Sequence, residues 1–135
     1  ENIVFKDIEI NSAKTRTDMR FADRIYTKNV MVNGEPILQE ASNLPPDVYA
    51  GSDQIAKVDE TIHLTGHAVD DRTPENELEF NWTVRKGDAQ AAVFENAGSH
   101  QTKITFHKTG RYILKLNAND GELGGYHFIS IIVNE

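Results

Sequence analysis

The chain has 135 residues, no cysteine, and 14 Lys and Arg against 21 Asp and Glu, a formal charge of −7. The missing cysteines exclude disulfides, zinc–thiolate centres and thiol nucleophiles, and the acid excess argues against a nucleic-acid partner, whose phosphates are held by clustered Lys and Arg. No apolar run approaches the roughly 18 to 20 residues of a membrane span, and 39% apolar with 26% charged residues is the composition of a globular protein.

The chain opens at Glu1-Asn2-Ile3 with neither an initiator Met nor a basic-then-apolar leader, and reads as an excised or mature part of something longer. Within the first 43 residues, Ile3-Val4-Phe5-Lys6-Asp7-Ile8-Glu9-Ile10 is echoed by Ile25-Tyr26-Thr27-Lys28-Asn29-Val30-Met31-Val32. The offset is 22 residues, a period at which solenoid coils repeat. Each rung of a solenoid buries its apolar face only against neighbouring rungs. Between the copies, Asp18-Met19-Arg20-Phe21 is expected to form a short strand of the same coil.

At Asn43-Leu44-Pro45-Pro46 the composition changes. Residues 1–43 carry 6 basic and 7 acidic side chains, and residues 44–135 carry 8 and 14. Two prolines fix two φ angles and remove two donors, which suits an extended linker or a first edge strand. The boundary is therefore expected near residue 44.

Past it, short alternating runs follow one another. Ile62, Leu64, Gly66 and Ala68 alternate with Thr61, His63, Thr65 and His67, and Leu78, Phe80, Trp82 and Val84 alternate with Glu79, Asn81, Thr83 and Arg85. Ile104 and Phe106 form a third run, and Tyr112, Leu114, Leu116 and Ala118 a fourth. Residues 126–133 are apolar on both faces apart from His127 and Ser130, so this last strand is expected to be covered on both sides. Turn formers such as Asp70-Asp71, Gly87-Asp88, Thr109-Gly110 and Asp120-Gly121 separate the runs. About seven strands and essentially no helix specify an all-β chain: an Ig-like antiparallel β-sandwich behind a short β-rich, coil-like segment.

The side chains with chemical potential fall into groups. Trp82, mid-strand beside Phe80, is expected to fill the space between two sheets, and Tyr112, just after Gly110, to form a tyrosine corner. His63 and His67 stand four residues apart, ~13 Å on a strand, too far to share one ion. In Ig topology the loops at residues 69–77 and 119–125 share one pole, together with the Pro45-Pro46 linker. Asp70, Asp71, Glu75, Glu77, Asp120 and Glu122 should therefore gather there, either as a solvated acidic rim or around a Ca²⁺ ion that stiffens the joint. Tyr49 and Tyr126, with Phe94, are the aromatic candidates for stacking on sugars. Asp7, Asp18 and Asp23 form no recognisable carboxylate pair, and Ser99-His100 and Ser130 have no base and orienting group of a triad, so no catalysis is expected.

Two resemblances carry these readings further. The two copies within residues 2–34, ending Val32-Asn33-Gly34, resemble the last coils of right-handed parallel β-helix enzymes of the polygalacturonase and pectate-lyase type. That enzyme family's Asp-Asp, Gly-His-Gly and Arg-Ile-Lys motifs are missing, so an active centre would belong to earlier coils. Residues 44–134 resemble a PKD-type Ig-like module through Ala50-Gly51-Ser52-Asp53-Gln54, Leu64-Thr65-Gly66, the strand up to Trp82, Gly110-Arg111-Tyr112-Ile113-Leu114 and Ala118-Asn119-Asp120-Gly121. Where PKD repeats follow the tryptophan with an aromatic-Gly-Asp-Gly run, this chain has Thr83-Val84-Arg85-Lys86-Gly87-Asp88.

Together the resemblances imply a non-catalytic accessory module that caps, spaces or contacts, attached to the β-helix domain of a secreted bacterial polysaccharide-degrading enzyme, in the medium, the periplasm or at the cell surface. Two alternatives stand beside it: a carbohydrate-binding module that holds the enzyme to polysaccharide, and an adhesion or protein-interaction module.

Overall fold

The structure is a computed structural model that describes residues 3–11, 25–36 and 43–135. The chain divides into two compact units, Glu1–Leu44 and Pro45–Glu135.

In the first unit, β1 (Ile3–Ile10) and β2 (Ile25–Val32) pair in parallel, and β3 (Glu35–Pro36) closes a hairpin onto β2. The parallel ladder runs from Ile3 opposite Ile25 to Ile10 opposite Val32, so the sequence offset of 22 is also the structural register. Asp7 and Asn29 sit at equivalent places and leave the ladder together, both left-handed at φ 53°. Asp and Asn tolerate that region better than other non-glycine residues, which explains why these types recur at this corner. The Asn29 side-chain amide donates to the Asp7 carboxylate at 2.9 Å, tying one corner to the next. The hairpin uses Asn33 and Gly34, at φ 54° and 80°, the positive pair a two-residue loop demands. Asp18-Met19-Arg20-Phe21 and Asp23 lie outside the described residues.

The second unit is a sandwich of short strands. One layer contains β6 (Thr61–Thr65), β10 (Gln101–Phe106) and β9 (Ala92–Phe94) in the order β6-β10-β9, with a separate antiparallel pair of β4 (Asp47–Tyr49) and β7 (His67–Val69). The other has the order β5-β12-β11-β8, from β5 (Gln54–Lys57), β12 (Gly124–Asn134), β11 (Gly110–Asn119) and β8 (Glu79–Lys86). All pairings are antiparallel except β5 with β12. Among the described residues there is no α-helix, only 3-10 turns at Glu75–Glu77 and Ala89–Ala91.

The alternating runs become strands for the reason alternation always does: period two puts one set of side chains on the core and the other in water. Leu64, Gly66, Ala68, Trp82, Ile104, Phe106, Tyr112, Leu114, Leu116 and Ala118 are all buried. The run at residues 61–68 is broken at Gly66, which separates β6 from β7. A Cβ at Gly66 would overlap Leu116 and touch the His100 carbonyl and the Trp82 ring, so this strand bends where only a bare backbone fits against the opposite layer.

The last strand differs from expectation. In β12, Ile129, Ile131 and Val133 are buried, whereas Tyr126, Phe128 and Ile132 are 39%, 42% and 46% exposed. Nothing in Pro45–Glu135 packs over that side, because a two-layer sandwich covers only one face of each sheet.

Candidate functional site

Trp82 is 2% exposed and its indole N–H donates to the Ser99 carbonyl at 3.1 Å. Tyr112 is 1% exposed, packs on Phe106 with ring centroids 4.6 Å apart, and donates its hydroxyl to the Lys108 carbonyl at 2.9 Å. The bond reaches back four residues across Gly110, at φ 146°, and is the tyrosine corner read from the sequence. Burial, reinforced by the nearby Asp88 carboxylate, pushes the Tyr112 hydroxyl above its ordinary value and keeps it a donor. Asp88 itself is held below the usual carboxylate range by the Lys108 ammonium at 3.2 Å and the Gln90 backbone N–H.

Tyr112→Phe removes one enclosed hydrogen bond and keeps the ring, so a loss of about 1–2 kcal/mol is expected in urea denaturation. The sign with pH follows from the raised value. The hydroxyl contributes fully below the unfolded-state value near ~10 and loses that contribution as pH rises through the folded one, so the gap between wild type and Tyr112→Phe closes in alkali.

The acidic loops do share one pole. Arg72 Nη1 reaches Glu122 Oε2 at 3.6 Å across them, and Asp47 pairs with Val69, which brings the Pro45-Pro46 segment to the same end. Most of the carboxylates are engaged locally there. Asp70 Oδ2 accepts from the backbone N–H groups of Arg72 (3.0 Å) and Thr73 (2.7 Å), Glu75 Oε1 from Ala68 (2.9 Å), and Asp120 Oδ1 from Glu122 (2.7 Å) and Leu123 (2.6 Å). These are loop-closing bonds of the kind Asp makes in turns. Asp70 Oδ1 is enclosed without a hydrogen bond. Glu77 ends the 3-10 turn, and Asp71 follows Asp70 in the loop. Among the described residues no three His, Cys, Asp or Glu side chains converge as ligands of a metal would. Calcium coordination at this pole would need side chains to turn toward one another and to share oxygens that now hold the loops.

The aromatic candidates separate. Tyr49 is flanked by His67 and His127, with centroids at 5.2 and 5.5 Å, and the Ala50 N–H donates to His127 Nδ1 at 3.3 Å. Tyr126 lies on the outer face of the β5-β12-β11-β8 sheet, edge to face with Phe128 at 5.3 Å, and the Lys115 ammonium stands 4.3 Å from its ring centroid. Phe94 is half-buried against the core on β9. His63 and His67 fall on different strands, β6 and β7.

The sequence reading missed the character of that outer sheet face. The register puts Phe128 opposite Lys115, Ile132 opposite both Arg111 and Ile55, Ile113 opposite Lys86, and Asn134 opposite Lys57. Cross-strand partners share a face, so Lys57, Lys86, Arg111 and Lys115 surround a row of exposed apolar groups. Two acidic residues stand beside them: Glu79, opposite Asn119, and Asp53, whose Oδ1 accepts from the Ser130 N–H at 2.7 Å. From residue 45 onward the chain has 8 Lys and Arg against 14 Asp and Glu, and this face reverses that balance. The signal was present in the alternation, but it needed the strand order to assemble.

The family model for the K319L-like, PKD domain matches residues 50–133. Among solved structures, the chain resembles the solution structure of the PKD domain of human KIAA0319, with a TM-score of 0.52 and 17% identity over 67% of this chain and 81% of that one. The PKD domain of the KIAA 1837 protein gives a TM-score of 0.52 and 23% identity over 70% and 92%. Drosophila N-cadherin EC1-3 gives 0.51 and 16% over 69% and 35%. These likenesses concern fold alone. PKD and Ig-like domains are interaction modules, typically non-catalytic and typical of extracellular or cell-surface proteins. With its buried tryptophan, tyrosine corner and two-layer strand order, the chain belongs, through residues 50–133, to the K319L-like PKD-domain family.

Proposed function

We propose that this chain is a non-catalytic interaction module joined to the terminal coils of a parallel β-solenoid, in a secreted bacterial polysaccharide-degrading enzyme, with the sandwich serving as cap or spacer. The observation that carries the solenoid half is the register of β1 on β2: parallel, 22 residues apart, with a left-handed Asp7 and Asn29 at the same corner and a hydrogen bond between them. A ladder of that kind is how successive coils stack. Ile3, Val4, Phe5 and Ile10 of β1 are at least 37% exposed, an open apolar side of the kind that solenoid coils bury against one another.

In a protein with further coils ahead of Ile3, deleting residues 45–135 is expected to lower the solenoid's melting temperature and its solubility. Unchanged melting and solubility would remove the capping role. A second reading, contact with carbohydrate, is favoured by the exposed Tyr126 and Phe128 on an open sheet face.

A further inference from the structure

We propose that the outer face of the β5-β12-β11-β8 sheet binds a carboxylated polysaccharide. This deepens the carbohydrate-contact reading by naming the polymer class, and it is independent of the solenoid reading.

The first argument is charge. Lys57, Lys86, Arg111 and Lys115 stand on this face, and among the described residues none of them forms an ion pair with a carboxylate. Elsewhere in Pro45–Glu135 the bases are paired: Arg72 with Glu122, Lys103 with Glu95, and Lys108 with Asp88. Arg85, in the bulge beside Lys86, adds one more exposed cation at the margin. In a unit with so many acids to spare, a face whose cations have no acid partner is complementary to an anion from outside.

The second argument is shape. The exposed apolar groups on the face, Tyr126, Phe128, Ile132 and Ile55, follow β12 and its edge partner in a band, with the half-buried Ile113 beside them on β11. From Tyr126 to Ile132 the band runs about 20 Å at ~3.4 Å per residue, room for several sugar rings in line. A stable protein interface buries some 800 Å² per partner around a broad apolar centre, and a narrow band is a poor match to such a centre. An extended polymer that presents apolar ring faces along its length and carboxylates at its sides matches both the band and the flanking cations. Tyr126 and Phe128 meet edge to face, at 63°, so they suit a twisted chain that stacks ring by ring rather than a flat crystalline surface. Lys115, its ammonium 4.3 Å from the Tyr126 ring centroid, keeps a cation beside the aromatic pair.

The chain's own negative charge does not forbid this. Arg111 lies eight residues along β11 from Asn119 at the acidic pole, roughly 27 Å, against a screening length of about 8 Å at physiological salt. Asp53, which meets Ser130 as Arg111 does, has its Oδ1 on the Ser130 backbone N–H at 2.7 Å and forms no ion pair with Arg111.

The test is affinity electrophoresis of the whole chain in gels containing polygalacturonate, neutral galactan or poly-L-glutamate. Polygalacturonate is expected to retard the chain, less so as salt rises, with galactan and poly-L-glutamate giving little effect. Lys115→Glu and Arg111→Glu are each expected to weaken binding about tenfold, equivalent to about 1.4 kcal/mol. Lys115→Gln and Arg111→Gln should give the same ranking with smaller steps, and Phe128→Ala should weaken binding at unchanged charge. Lys103→Glu, on the other layer, should change nothing. Retardation by galactan alone would leave carbohydrate contact standing and overturn the carboxylate. Binding to poly-L-glutamate as tight as to polygalacturonate would point to an acidic protein instead. No retardation in any gel, or equal loss in Lys103→Glu, would overturn the proposal outright.

Discussion

Trp82→Ala is expected to cost about 3–5 kcal/mol, the range for truncating a large buried aromatic. The indole is 2% exposed and spans the space between the layers, with one ring carbon facing Gly66 and its N–H bonded to the Ser99 carbonyl. Removing it leaves a cavity that neighbours on two hydrogen-bonded sheets can only partly fill, and takes the donor from Ser99. For a unit of this size the loss corresponds to a fall in Tm of roughly 12–40 °C, at about 4–8 °C per kcal/mol. Circular dichroism melting checks it, since the variant has no tryptophan left to report by fluorescence. Trp82→Phe, which keeps a ring but loses the donor, should fall between. A Trp82→Ala protein that melts within a few degrees of wild type would show that the indole is not the inter-sheet filler described.

Gly125→Ala is the second large effect, at the upper end of the about 1–3 kcal/mol expected for overpacking. A Cβ at Gly125 would overlap the Pro46 carbonyl oxygen and press on Val48 Cγ2, so the backbone that leads into β4 must move. No flexible side chain can absorb that contact. Gly124→Ala is the control one residue earlier, where the nearest atoms are 3.5 Å away, in ordinary contact, and little loss is expected. Equal stability of the two variants in urea would mean that β4 is not packed on β12 as the structure has it.

Both sites also show what could be seen in advance. Trp82 was assignable to the core from alternation alone, because Leu78, Phe80 and Val84 share its side of the strand. The tyrosine corner was assignable from Gly110 and Tyr112, since a hydroxyl two residues past a turn has few backbone acceptors within reach. Gly125 was not. Its constraint comes from Pro46, almost eighty residues away in sequence, and no local pattern announces a close backbone approach of that kind. The strands β5 and β9 are short, and their apolar residues are too few to establish a period.

The acidic pole was legible in placement and not in chemistry. Topology brought the two loops together as the strand order required, and the Arg72–Glu122 pair marks the meeting. Whether carboxylates staple loops or converge on a cation depends on side-chain direction, which backbone N–H groups within two or three residues decide here for Asp70 and Asp120.

By itself, then, the sequence determined the longer alternating strands, the inter-sheet tryptophan and the 22-residue repeat, because each rests on a short-range period that side-chain geometry imposes on the backbone. Only the tertiary structure decided which faces stay open. A run apolar on both sides, as at residues 126–133, is compatible with cover on both sides or on one, and the choice depends on the number of layers rather than on the run. It also decided the electrostatics that matter locally: a chain of net charge −7 carries a cationic, aromatic sheet face because strand order brings Lys57, Lys86, Arg111 and Lys115 to one side of one sheet.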